Sequence, residues 1–340
     1  MRDAPRFTRT TSEWTADDRR GAIRCRVGRF RMRYAVQPGL YALGRPDADS
    51  PVLATANYRL GFDTLRRDLK NVDCWILVLD TNGINVWCAA GAGRFSTEEL
   101  IGRMEKTRMA DVVHHRTIIV PQLGATGVCA HRVTRRTGFT ILFGPVRSAD
   151  IPEYLTRGCI ATPPMRVVGF GMRDRLALAP MEIGQSLMRI PAFAFVALLF
   201  AGLGPGGVNL GRAWTGAWPL FALGLGSVIA GSLLVPIVLP YIPLRSFAAR
   251  GLALGAGVTA LLLYGARLAA GMDPFLVAGC WIFFPASSAF MALNFTGATP
   301  FTSPSGVRRE MRWFIPLAIA AVLAAGAALT LSKLRLWGLV

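Results

Sequence analysis

The chain has 340 residues, room for about two domains, and carries 38 Lys and Arg against 20 Asp and Glu, a formal net charge of +18. Its hydrophobic share of 52% and mean hydropathy of +0.40 are high for a soluble protein. The apolar excess falls after about Met188 and the charge before it, which argues against a single soluble domain. The basic balance invites a nucleic-acid reading, but no zinc-finger spacing, RNP-like motif or homeodomain pattern supports it. Arginines beside membrane spans and anionic headgroups account for the charge, so no nucleic-acid partner is expected.

In chain order, residues 1–54 read as an Arg-rich, irregular leader. It is charged from Met1 and has no apolar stretch resembling a secretory signal, so a cytoplasmic start with reduced thiols is expected. A helix is predicted over 57–71, with Leu60, Leu65 and Leu69 near helical spacing. Trp75–Asp80 reads as a buried strand, Thr81-Asn82-Gly83 as a turn, and Ile84–Trp87 as a short extended run. One helix should begin near Cys88, and another at Ser96, where a hydroxyl cap precedes Glu98 and Glu99. Strands are predicted at Thr117–Val120 and Thr140–Phe143, helices over 128–136 and 151–157, and a last strand at Met165–Phe170. Alternating strands and helices predict an α/β, Rossmann-like domain over 55–187 with a mostly parallel sheet. Its strand-end connections, 81–93, 121–127 and 144–149, should line one crevice.

Residues 188–340 predict an all-α transmembrane domain of about five helices, near 188–204, 215–238, 251–270, 273–293 and 313–332. Arg245, Arg250, Arg308, Arg309 and Arg312 fall on the same side as the Arg-rich N-terminal domain. This predicts a multi-pass protein of the cytoplasmic (inner) membrane with that domain in the cytoplasm.

The six cysteines include no C-x-x-C pair, which argues against structural zinc or an iron–sulfur cluster within the chain. Cys88 stands apart. It sits at a strand-to-helix turn in Asn85-Val86-Trp87-Cys88-Ala89-Ala90-Gly91, before Gly93. A helix N-terminus favours thiolate. Gly91 and Gly93 would let a planar ligand approach the backbone, and Trp87 and Phe95 would wall it. His114, His115 and His131 are not placed as a base for a nucleophile, so a metal-ligand role is preferred, the metal arriving within a cofactor.

The run Asn85–Gly91 resembles the signature of the corrinoid proteins of microbial mercury methylation, the HgcA family, which is similar to the corrinoid iron–sulfur protein of the acetyl-CoA pathway. The likeness continues through Asn57-Tyr58-Arg59-Leu60, the 75–80 strand, Pro121-Gln122-Leu123-Gly124-Ala125, Gly144-Pro145-Val146-Arg147, Asn294-Phe295-Thr296-Gly297 and Phe301–Gly306, about residues 55–335 in all. The resemblance implies a base-off cobalamin with Cys88 as axial cobalt ligand. Asn85, Val86, Trp87, Ala89, Ala90, Gly91, Gly93, Gln122 and Gly124 would surround it. It implies a methyltransferase that takes a methyl group from a methyl-tetrahydrofolate-dependent protein and passes it from cobalt to Hg(II), forming methylmercury. The ferredoxin-like protein HgcB would supply electrons. Histidine-ligated cobalamin proteins carry D-x-H-x-x-G, which Asp111 and His114 do not match. The family motif continues with Lys where this chain has Ala92; Arg94 is the candidate replacement cation. A corrinoid methyl carrier with another acceptor, and a membrane transporter with a cytosolic regulatory domain, are the alternative readings.

Overall fold

The computed structural model describes residues 7–27 and 29–340. Met1–Arg6 and Gly28 of the expected leader lie outside the described residues, as do the side-chain surroundings of Gly297 and Pro304 in the later motifs. Two compact units meet in sequence at Val168 and Gly169, earlier than the expected boundary at 187.

The first unit contains, among the described residues, a six-stranded sheet in the order β1-β2-β4-β3-β5-β6. Its strands are β1 (Thr8–Thr10), β2 (Gly39–Leu43), β3 (Val52–Ala56), β4 (Cys74–Leu79), β5 (Thr117–Val120) and β6 (Thr140–Phe143). Strands β3 to β6 run parallel to one another; β2 is antiparallel to β4, and β1 parallel to β2. The helices are α1 (Ala16–Val27), α2 (Arg59–Asp68), α3 (Val86–Gly91), α4 (Thr97–Lys106), α5 (Met109–Val112), α6 (Ala130–Thr137) and α7 (Ile151–Thr156). Strand β4 shows how both sheet faces are covered. Trp75, Leu77 and Leu79 pack in the cluster that holds Leu100 and Met104 of α4. Cys74, Ile76 and Val78 pack in the cluster of Phe62, Leu65 and Leu69 on the α2 side. A strand buried on both faces reads as one apolar run, as this one does.

Three expectations change. The stretch to residue 54 is not irregular: it supplies α1 and three strands, including β3, which lies between β4 and β5. Ile84–Trp87 is not extended throughout, because Asn85 caps a helix that begins at Val86. Met165–Phe170 is not a strand; its first two residues close a 3-10 turn, Pro163–Arg166, that opens on two prolines.

The second unit is built from helices α8 (Met172–Leu187), α9 (Ile190–Gly202), α10 (Leu210–Val238), α11 (Phe247–Gly265), α12 (Pro274–Asn294) and α13 (Pro304–Leu336). Among the described residues, four helices are long and apolar enough to cross a membrane, or five if the α8–α9 pair, bent by 43°, is one span. Helix α10 contains a π-turn at Ile229–Leu234, and α11 ends in another at Leu261–Gly265.

Candidate functional site

The chain order and sheet order together place a topological switch point between β3 and β5. From β3 the chain passes to β4 on one side, and then to β5 on the other. In open α/β sheets the crevice at such a point, outside the carboxyl ends of the strands, is where ligands bind. A cleft of about 380 Å³ lies there. The end of β3 and the turn after it give it Thr55 and Tyr58; the N-cap and first turn of α3 give Asn85 and Trp87; the segments after β5 and β6 give Leu123 and Pro145. All three connections singled out from sequence therefore reach one cleft.

The loop that leads to Cys88 is held from beneath by Asn57, whose support role carries no local sequence signal. Asn57 is 5% exposed. Its Oδ1 accepts hydrogen bonds from the Thr81 N–H (3.0 Å), the Thr81 hydroxyl (2.8 Å) and the Gly83 N–H (2.9 Å). Asn82 and Gly83 both have positive φ, 55° and 71°, and the Ile84 N–H donates to the Thr81 carbonyl. Asn-Gly is the dipeptide best suited to that mirror-image turn. The Asp80 N–H donates to Glu99 Oε1 at 2.8 Å, which ties the same loop to α4.

Helix α3 is short but capped at both ends. Asn85 Oδ1 accepts from the Cys88 N–H at 2.9 Å, an N-cap bond to the third helical residue. At the other end the Arg94 N–H donates to the Ala89 carbonyl and the Gly93 N–H to the Ala90 carbonyl, the paired bonds of a Schellman motif. Gly93 occupies the left-handed position, φ 70°, which such a motif requires. Ala89 and Ala90 are buried in the core, so small side chains here let the helix lie on the sheet edge. Cys88, on the same short helix, is exposed.

The predicted site residues separate on this frame. Asn85, Val86 and Trp87 line the cleft, and Trp87 is 42% exposed. Cys88, next to Trp87 on α3, is exposed and does not line it. Gly91 and Gly93 face open space, with no atom within 4 Å of where a Cβ would stand. Gln122 is half-buried, and its Oε1 accepts from Arg166 at 3.0 Å. Gly124 has a packing reason: a Cβ would stand 2.6 Å from the Phe95 ring. Phe95 is fully buried in the core instead of walling a ligand, because the chain turns inward after Gly93. Arg94 is exposed, while the cation that lines the cleft is Arg26 of α1, within the region expected to be irregular. No local periodicity signals Arg26; only the packing of α1 brings it there.

Cys74 and Cys25 are buried, unlike Cys88. Burial pushes the Cys74 thiol up to about 12, and burial also raises Cys25. Cys129 is exposed at the start of α6, and Cys159 is half-buried. Burial raises the Tyr58 phenol, so it stays a neutral hydroxyl at the cleft. Among the described residues no three His, Cys, Asp or Glu side chains gather in a way that could hold a metal ion.

Residues 30–155 match the family model described as CO dehydrogenase/acetyl-CoA synthase delta subunit. The chain is also similar to gamma subunits of acetyl-CoA decarbonylase/synthase complexes. It is 36% identical over 124 residues to that of Methanopyrus kandleri, covering 36% of this chain and 26% of the relative. It is 39% identical over 123 residues to that of Methanocaldococcus jannaschii, covering 36% and 25%. The Archaeoglobus fulgidus subunit is 33% identical over 124 residues, covering 36% and 26%. The chain thus spans about a quarter of the length of the curated relatives it matches. The family match, 30–155, includes β3, α3 and every residue lining the cleft except Arg26.

Proposed function

We propose that this chain is a membrane-anchored, cobalamin-dependent methyl carrier that passes its methyl group to Hg(II). The observation that carries the reading is the exposed thiol of Cys88, on a helix capped at both ends, beside the switch-point cleft. Similarity to subunits of acetyl-CoA decarbonylase/synthase complexes supports a corrinoid role for the first unit; the resemblance of the Asn85–Gly91 run supports mercury as acceptor.

The residues present would suit a metal that arrives within a cofactor and takes a single ligand from the protein. A single thiol stands on an exposed helical turn, with open space over Gly91 and Gly93. Bound cobalamin would supply a cobalt able to carry a methyl group, and a thiolate ligand would add the electron density that suits methyl transfer to Hg(II). Cys88 Sγ would be the ligand. Asn85 holds the Cys88 backbone, and Asn57 holds the turn before it. Trp87 offers an apolar wall, while Tyr58 and Arg26 offer donors to polar side groups of the cofactor. A ferredoxin-like protein such as HgcB would return electrons, and a methyl-tetrahydrofolate-dependent protein would supply the methyl group. Helices α9 to α13 would anchor the chain in the cytoplasmic membrane, with the first unit in the cytoplasm.

A second acceptor class is kept in view by Ala92. This residue is the exposed C-cap of α3, where the resembling family has a lysine. The full chain loaded with cobalamin, compared with Cys88→Ala, tests the ligand: the wild type should show a cobalt–thiolate absorption band that the variant lacks. Identical spectra would overturn the assignment. Methylmercury formation in anaerobic cells that also express the ferredoxin-like protein then decides between Hg(II) and another acceptor.

A further inference from the structure

The second unit contains a groove of about 950 Å³ between α9, α10, α12 and α13. Protein interiors are close-packed, and a gap of this size between helices is not one that the chain's own side chains fill. Its walls are nearly all apolar, with Phe193, Phe221, Phe283 and Phe290 prominent. The walls have a direction. Ile190 opens α9, Val228 and Met291 are the last lining residues of α10 and α12, and Ile315 is the first of α13, so these four mark one end. From Ile315 to Leu323 the groove follows about 12 Å of helix.

The charge lies at that same end. Arg189, at the break between α8 and α9, lines the groove and stacks over the Phe290 ring with its Cζ 5.4 Å from the centroid. On α13, Ile315, Ile319 and Val322 line the groove, and stepping back by three and then four residues reaches Arg312 and Arg308. Helical spacing puts both arginines on the groove-lining face, about one and two turns before it. Arg189, Arg308 and Arg312 are exposed and have no ion-pair partner among the described residues. The acid in this part of α13, Glu310, is already engaged: its Oε1 accepts from the Ser246 hydroxyl and the Ala248 N–H, both at 2.6 Å, at the start of α11. An apolar slot with uncompensated cations at one mouth matches an amphiphile with an anionic head.

We propose that this groove seats one acyl chain of an anionic phospholipid, with Arg189 and Arg312 at its phosphate. The proposal rests on the reading that these helices cross a bilayer. Cations beside the membrane surface each favour anionic lipid modestly, so the pair should yield about a thirtyfold preference.

The test uses the full chain in nanodiscs of phosphatidylcholine containing a minority of phosphatidylglycerol, with retained lipid read by native mass spectrometry. The wild type should keep one phosphatidylglycerol in preference to phosphatidylcholine. R189Q/R312Q should lose the preference while still entering the disc. A318F, which fills the groove without touching charge, should lose the retained lipid altogether. Equal retention of the two lipids by the wild type, or retention unchanged in both variants, would overturn the lipid seat and leave the membrane reading standing. A chain that elutes free of nanodiscs would overturn the membrane reading and the seat with it.

Discussion

Two polar constructions in the first unit look alike in density and differ in purpose. One joins α1 to α2. Asp18 and Asp63, each nearly buried, take ion pairs from Arg59 and Arg66, and Arg66 Nη2 lies 2.6 Å from Asp18. Burial alone would raise the Asp18 carboxyl, but the N–H and hydroxyl of Thr15 and the guanidinium of Arg66 outweigh it and hold Asp18 well below the usual carboxylate range. The other construction is the Asn57 clasp under the loop to Cys88. The first buries both carboxylates and Arg66, leaves Arg59 about a third exposed, and commits all four charges to pairs. The second uses one neutral amide to hold out an exposed thiol. Perturbed titration is a common guide to functional sites. Here it points to the structural cluster, and exposure with a rigid support points to the other.

The largest effect should come from Asp18→Asn. Removing one partner of a buried pair leaves Arg66 undercompensated and should cost about 3 kcal/mol of stability near neutral pH. A depressed carboxyl contributes its stability above its unfolded value near 4 and loses it as pH falls, so the gap between variant and wild type should narrow in acid. Urea unfolding at pH 7 and pH 3 measures both. Cobalamin spectra of the loaded variant should match the wild type; a loss of cofactor here would merge the two constructions into one.

Asn57→Ala should cost about 2 kcal/mol by leaving the Thr81 and Gly83 N–H groups unpaired. Unlike Asp18→Asn, it should also weaken cobalamin retention, measured by equilibrium dialysis. Unchanged retention would show that the clasp is merely structural.

The smallest effect should come from Gly93→Ala, which forces a side chain into the left-handed region at a cost of about 1 kcal/mol. Thermal melts of the full chain would measure it, and a neutral result would remove the argument for the Schellman end of α3.

Much of this was legible without the fold. The run at β4, the strands β5 and β6, the Asn82-Gly83 turn, the cap at Ser96 and the apolar helices all follow from neighbours a few residues apart. The short helix that carries Cys88 was legible too, because Asn85 and Gly93 bracket it in a stretch short enough to read. Other features were decided by tertiary structure alone. Strand β3 is a five-residue, mostly apolar run whose place at the heart of the sheet depends on pairing Ala54 with Leu77 and Leu53 with Ile119. Arg26 enters the cleft only because α1 packs against α2. Phe95 became core because Gly124 offers it a face without a side chain. Sequence periodicity records which way a residue faces along its own element; which distant element it meets is set by long-range pairing, and that leaves no period in the chain.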